Sequence, residues 1–157
     1  MDKTNVMRVL DQKKIPYEAH EYDKNFLNAV EVATSLGKDP KRTFKTLVTE
    51  GNDRNHYVFV VPADATLDLK KAAKAVSVKS IAMIPQKELL PLTGYIHGGC
   101  SPIGMKKAFK TVIDESCLQF ETMMFSGGKV GTQVEMAPDA LIQLVRATTC
   151  DLTVREA

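Results

Sequence analysis

Nothing in the chain is spaced to hold a metal ion. The three cysteines, Cys100, Cys117 and Cys150, stand far apart. None shows the Cys-x2-Cys spacing of a zinc site, and their odd number argues against a disulfide framework. His20, His56 and His97 are just as scattered, with no His-x3-His pair and no cluster of carboxylates, so no metal site is expected. No apolar run approaches the ~18 residues of a membrane span. The opening stretch MDKTNVMRVLDQKK lacks the apolar core of a signal peptide, so a cytoplasmic protein without membrane contact is expected. Charge of one sign is short too: 21 Lys and Arg against 19 Asp and Glu leave a net +2. That is too little for a strongly basic DNA binder, although it leaves room for a local basic patch.

What is present is ordinary globular material, 44% hydrophobic and 25% charged over 157 residues, enough for one domain, residues 1–157, with a real core. Val6, Val9 and Leu10 share a helical face that Thr4 or Asn5 can cap and Pro16 ends. Ile15 to Tyr22 alternates loosely as a strand. Asn28 to Leu36 reads as a helix stopped by Gly37. Phe44 to Thr49 and His56 to Val61, joined by the polar turn Gly51 to Asn55, read as a hairpin. Leu69, Ala72, Ala73 and Val76 follow helical spacing. Ser80 to Ile84, Gly94 to His97, Lys110 to Asp114, Phe120 to Phe125, Thr132 to Met136 and Leu152 to Val154 read as strands. Gln86 to Leu90 reads as a helical turn. Pro138 to Arg146 reads as a helix with Leu141, Leu144 and Val145 inward. Hairpins are as common as crossovers, which favours an α+β fold with a mixed sheet and helices around it.

Four features could carry chemistry. Gly98-Gly99-Cys100-Ser101-Pro102-Ile103-Gly104 offers glycines that admit positive φ and close approach of a ligand, and freed backbone N–H groups that can stabilise an oxyanion. A plain irregular turn is the competing account. Ser126-Gly127-Gly128-Lys129-Val130-Gly131 joins two strands, as a hairpin turn would. It is not a phosphate-binding P-loop, because Val130 follows the lysine and a strand follows the loop. Lys45 stands in an apolar strand between Phe44, Leu47 and Val48, where an ammonium needs water or an anion, although alternation also permits a solvent-facing residue. Lys70, Lys71 and Lys74, with Lys106, Lys107 and Lys110, form a basic set that suits phosphates or a solvated helix face. Cys100, three residues from His97, reads as a small apolar filler ahead of a nucleophile.

An ordered set of motifs resembles the YbaK/EbsC family, relatives of the editing domain of bacterial prolyl-tRNA synthetases. They are His20-Glu21-Tyr22-Asp23, Thr43 to Val48 (TFKTLV), Leu67 to Lys74 (LDLKKAAK), Thr93 to Gly104 (TGYIHGGCSPIG) and Ser126 to Lys129 (SGGK). The form Gly-Gly-x-Ser-Pro-x-Gly resembles the Cys-tRNA(Pro) deacylase branch more than the branch that edits alanine. The resemblance implies one domain with a curled, barrel-like mixed sheet ringed by helices. It implies hydrolysis of the ester of mischarged tRNA, chiefly Cys-tRNA(Pro), by attack of the substrate's own thiol, without a metal or cofactor. A non-catalytic aminoacyl-tRNA or amino-acid binding module docking on a synthetase is the alternative.

In that family the match to Lys45 is central to activity, and the loop matching Gly98 and Gly99 lines the reacting carbonyl. Tyr22, Ser101, Ser126, Gly127, Gly128 and Lys129 match substrate-binding positions. The implied partners are the tRNA acceptor end and prolyl-tRNA synthetase. His97, Val130 and Gln133 depart from the family's usual aliphatic, basic and acidic residues, which bears on substrate breadth.

Overall fold

The computed structural model describes residues 2–26 and 28–155. Over these residues, five α-helices and eight strands alternate irregularly along the chain. The first helix, α1 (Asn5–Gln12), starts where the Thr4 hydroxyl accepts from the Met7 N–H, and it buries Val6, Met7 and Leu10. This is a side-chain cap supplying a partner for a first-turn donor. The second, α2 (Ala29–Ser35), is capped in the same way by Asn28, whose side chain accepts from the Glu31 N–H.

The expected hairpin forms β2 (Phe44–Gly51) and β3 (His56–Pro62), paired from Phe44 opposite Pro62 to Glu50 opposite His56. It is the spine of a five-stranded mixed sheet in the order β4-β2-β3-β5-β8, with β4 (Ile81–Met83), β5 (Lys110–Asp114) and β8 (Thr148–Cys150). β4 and β3 run antiparallel to β2, whereas β5 and β8 run parallel to their neighbours. A separate antiparallel sheet has the order β1-β7-β6, with β1 (Glu18–Glu21), β6 (Met123–Ser126) and β7 (Thr132–Met136).

One large apolar cluster lies between the two sheets. It takes Phe44, Val48, Val58 and Val60 from one sheet and Met123, Phe125, Val134 and Met136 from the other, with Val6 and Leu10 of α1 and Leu141 of α5 (Pro138–Val145). A second cluster lies on the opposite face of the larger sheet. Tyr57, Phe59, Val61 and Val112 there meet Ala72, Ala73 and Val76 of the α3 region (α3, Leu69–Ala75). Alternating residues of β3 thus feed alternate cores.

Three expectations need correction. The α+β fold with a mixed sheet is as expected, but among the described residues the strands form two sheets, joined by an isolated bridge between Thr43 and Met124, in place of one barrel-like sheet. Gly94 to His97 is not a strand: Gly94, at φ +87°, ends α4 (Leu89–Thr93), and the Tyr95 N–H is taken by the Thr93 hydroxyl. A backbone group already satisfied locally has no ladder to join. The last strand is Thr148–Cys150 rather than Leu152 to Val154, where Thr153 makes only an isolated bridge to Leu67.

Candidate functional site

The pairing of β2 leaves a gap. On one side it pairs with β3 along its length, but on the other β4 covers only Thr49 to Gly51, and the bridge to β6 is confined to Thr43. Among the described residues no strand covers the edge between Phe44 and Val48. A cavity of about 260 Å³ lies there, and Phe44, Lys45, Thr46 and Leu47 line it in succession. An open edge presents unpaired backbone N–H and C=O groups, which explains how residues from both faces of one strand reach a single cavity. Phe26, Ala29 and Val32 from the α2 region and Leu89 close it with apolar surface, and Tyr22, His97, Gly98, Cys100, Ser126, Val130 and Gln133 complete the wall.

Lys45 enters this wall half-buried, its Nζ donating to the Ala63 carbonyl at 3.3 Å. Burial draws its pKa below the usual lysine value, and the nearby charge of Asp64 partly offsets that. An ammonium has three donors, so one protein acceptor leaves it able to meet an oxygen of a ligand. Two further polar atoms of the wall are buried without a protein partner: Thr46 Oγ1 and Gln133 Oε1. Gln133 is 5% exposed, and a buried acceptor without a donor is costly. A ligand carrying a donor satisfies it.

The two glycine-rich loops, read as separate features, are packed against each other. A Cβ on Gly99 would lie 3.0 Å from both Lys129 Cα and Val130 N, and one on Gly98 would lie 3.5 Å from a Val130 methyl. Gly98 (φ +86°) and Gly128 (φ +101°) occupy the left-handed region, where side chains are disfavoured. The Ser126 hydroxyl accepts from the Gly128 N–H at 3.2 Å, and the Gly127 N–H donates to the Thr132 carbonyl at 2.8 Å. The structure therefore gathers Lys45, Gly98, Tyr22 and Ser126 on one cavity. Gly99, Gly127 and Gly128 form the layer behind it. Ser101 is fully buried and turned into its own loop, its hydroxyl accepting from the Ile103 N–H at 3.3 Å, and Lys129 is exposed outside the wall.

Nucleophiles are poorly equipped here. Burial pushes the Cys100 thiol up to about 12, leaving it protonated at neutral pH, whereas a thiolate is the reactive form. Among the described residues no hydrogen bond joins Cys100 or Ser126 to a histidine. Cys100→Ala is expected to keep the protein folded, because it removes one small buried group that is held protonated; circular dichroism checks this.

Local periodicity carries no sign of the network beneath the smaller sheet. Glu135, 8% exposed, accepts from Thr122 at 2.6 Å and Arg42 at 2.9 Å on one oxygen; the other meets His20 at 2.9 Å and Lys38 at 3.6 Å. Glu18, His20 and Glu135 have ligand atoms within 4.8 Å of one another, a convergence that sequence spacing cannot show. The cations of Arg42 and Lys38 already occupy Glu135, so the cluster is an ion-pair network. Burial raises the Glu135 pKa, but the hydrogen bonds from Thr122 and His20 and the charges of Lys38 and Arg42 outweigh it, and the net shift is downward. A depressed carboxylate stabilises the fold above its unfolded pKa, here 4.5, and that stability is lost as the pH falls through the folded value. Glu135→Gln is expected to cost about 2 kcal/mol at neutral pH and to flatten the fall of thermal midpoint as the pH drops below 4.5. An unchanged acid limb would show that the network does not govern it.

The open-edged cavity, the joined glycine loops and the flanking pair of sheets define a class, and comparison with known proteins gives it a family. Residues 23–144 match the model of the aminoacyl-tRNA editing domain. A relative in Enterococcus faecalis, named "Putative Cys-tRNA(Pro)/Cys-tRNA(Cys) deacylase EbsC", is 46% identical over 156 residues, covering 98% of this chain and 95% of its own. YwhH of Bacillus subtilis is 26% identical over 121 residues, covering 77% of this chain and 76% of its own. The fold superimposes at a TM-score of 0.85, with 24% identity over 99% of this chain and 100% of the other, on a structure titled as a putative trans-editing enzyme for prolyl tRNA synthetase. The chain belongs to the aminoacyl-tRNA editing domain family. Among the described residues no helix is long and apolar enough to cross a membrane.

Proposed function

We propose that the protein is a trans-acting aminoacyl-tRNA deacylase whose main substrate is Cys-tRNA(Pro). The observation that carries this reading is the cavity itself: it presents an ammonium with donors to spare, unpartnered polar atoms and a glycine loop, yet no activated nucleophile. In the proposed reaction Lys45 holds an oxygen at the 3′ end of the tRNA. The loop at Gly98, its geometry backed by Gly99, faces the ester carbonyl, and Tyr22 and Ser126 shape the aminoacyl pocket, with the Gly127-Gly128 turn supporting Ser126. The substrate's α-ammonium is a suitable donor for Gln133 Oε1.

The cysteinyl sulfur attacks its own carbonyl carbon, the bond to the ribose oxygen breaks, and the thiol proton ends on the released ribose hydroxyl. A cyclic thiolactone and free tRNA result, and water then opens the thiolactone to cysteine. Such a reaction needs orientation and stabilisation of a developing oxyanion, each on the order of several kcal/mol, and no protein nucleophile. The family match and the 46% identical relative support the ester of aminoacyl-tRNA as the substrate class.

The test is release of amino acid by the purified protein from Cys-tRNA(Pro), Ala-tRNA(Pro), Ser-tRNA and Pro-tRNA(Pro). Rapid loss of Cys with Pro spared is expected. If the folded protein cleaves none of them, the deacylase reading fails and a binding module that docks on aminoacyl-tRNA or a synthetase takes its place.

A further inference from the structure

The basic set expected from the sequence is divided by the fold. Lys71 is spent on structure: its Nζ donates to Asp151 at 2.8 Å and to the Thr153 carbonyl at 2.7 Å. Lys70 and Lys74, on the outer face of α3, instead meet Lys79 around a groove of about 540 Å³ between α3 and the start of β4. The groove has an apolar floor at Ala73 and Ile81, and no acidic side chain lines it. Among the described residues none of these three ammonium groups forms an ion pair. The loop carrying Lys79 is held in place, because Asn52 Oδ1 accepts from the N–H groups of Lys79 and Ser80 at 2.9 and 3.1 Å. Three unpaired cations on a fixed concave frame, in a chain whose net charge is only +2, concentrate positive potential on one spot.

The groove's place in the fold says what it faces. Lys45 stands opposite Val61, and Leu47 opposite Phe59. Val61 and Phe59 belong to the apolar cluster on the α3 face, and Leu47 packs against it. Lys45 therefore projects from the sheet face that α3 covers. Ile81, at the groove, pairs with Gly51, six residues along β2 from Lys45, a distance of ~20 Å at ~3.3 Å per residue. From the proposed anchor of the 3′ end, the same face runs a few nucleotides' length to the lysines.

We propose that the groove between α3 and β4 is the docking track for the phosphate backbone of the substrate tRNA, gripped by Lys70, Lys74 and Lys79 beyond its 3′ end. Lysines act on phosphates as point charges, without reading bases. The track therefore supplies affinity that is sensitive to salt and indifferent to sequence, and leaves discrimination to the aminoacyl cavity. The inference rests on the deacylase reading above.

The test compares wild type with a Lys70→Glu, Lys74→Glu, Lys79→Glu triple variant, its fold checked by circular dichroism, on two substrates: Cys-tRNA(Pro) and the cysteinyl ester of the trinucleotide CCA. For the tRNA, KM is expected to rise at least about tenfold with kcat unchanged. The slope of log KM against log salt is expected to fall by about two to three, near one for each phosphate that a lysine no longer neutralises. The short ester reaches only the cavity, and its kinetics are expected to stay at wild-type values. Equal losses on both substrates, or an unchanged tRNA KM and salt slope, overturn the track. If wild type cleaves neither ester, the deacylase reading has failed separately. The track is then read from retention of labelled tRNA alone: binding that drops in the triple variant upholds it, and equal binding overturns it.

Discussion

Replacing Lys45 with alanine is expected to lower the deacylation rate of Cys-tRNA(Pro) by about 10² to 10³-fold, the usual cost of losing one donor that faces developing or anionic charge, while the protein stays folded. The two halves of this expectation come from the same fact. The ammonium is half-buried beside the open edge of β2, and burial lowers its pKa, which means that the charged form is held at a cost to the fold. Its Nζ donates to a neutral acceptor, the Ala63 carbonyl, at 3.3 Å, so alanine leaves no buried charge behind. A thermal midpoint at or slightly above the wild-type value is therefore expected, the pattern of a group kept for function at the expense of stability. Lys45→Met keeps the apolar stem without the charge and is expected to be equally inactive. A folded Lys45→Ala protein that turns over at the normal rate would remove Lys45 from the reaction.

Gly99→Ala is the second large effect. The added methyl would stand 3.0 Å from Lys129 Cα and Val130 N, both backbone atoms, and 3.1 Å from the Lys129 carbonyl carbon. No side chain can rotate out of the way, so one loop must move. Overpacking of this kind costs about 1–3 kcal/mol, and because Gly98 and Val130 both line the cavity, the shift is delivered to the proposed reacting centre. Displacement of about 1 Å at such a centre can cost 10²-fold in rate. Gly37→Ala is the control: Gly37 also has a positive φ, +69°, but nothing lies within 4 Å of its added Cβ. It is expected to lose about 1 kcal/mol with no change in rate. Steady-state kinetics and thermal melts of the two variants separate the effects, and equal kinetics for both would dissolve the proposed role of the paired loops.

The hairpin of β2 and β3 is plain in the sequence because two runs of β-branched and aromatic residues, Phe44 to Thr49 and His56 to Val61, flank a polar turn, signals that reside in adjacent residues. Lys45 is conspicuous for the same reason. The site around it is harder to see. Its mouth exists because β4 is only three residues long and stops short of Phe44 to Val48, and strand coverage is a property of pairing, not of local pattern. Thr46 and Gln133 carry no functional signal in the sequence beyond a departure from a family habit at Gln133; their unpartnered atoms emerge only when both are buried on one wall. Glu135 lies in a strand whose local pattern says nothing of its partners, because His20, Lys38, Arg42 and Thr122 arrive from three other segments. Gly94 to His97 reads as extended because aromatic and aliphatic residues favour strands, yet Tyr95 is used as an anchor, its hydroxyl bonded to the Ile103 carbonyl.

The central claim is that this cavity cleaves an ester whose nucleophile comes with the substrate. Its most direct test is a single turnover of excess protein with Cys-tRNA(Pro), quenched at intervals, with small products and intact protein mass followed together. The account predicts free tRNA, a cysteine thiolactone that precedes free cysteine, and a protein mass that never changes. A cysteinyl adduct on the protein, at Cys100 or any other residue, or intact Cys-tRNA(Pro) beside folded protein, would contradict it.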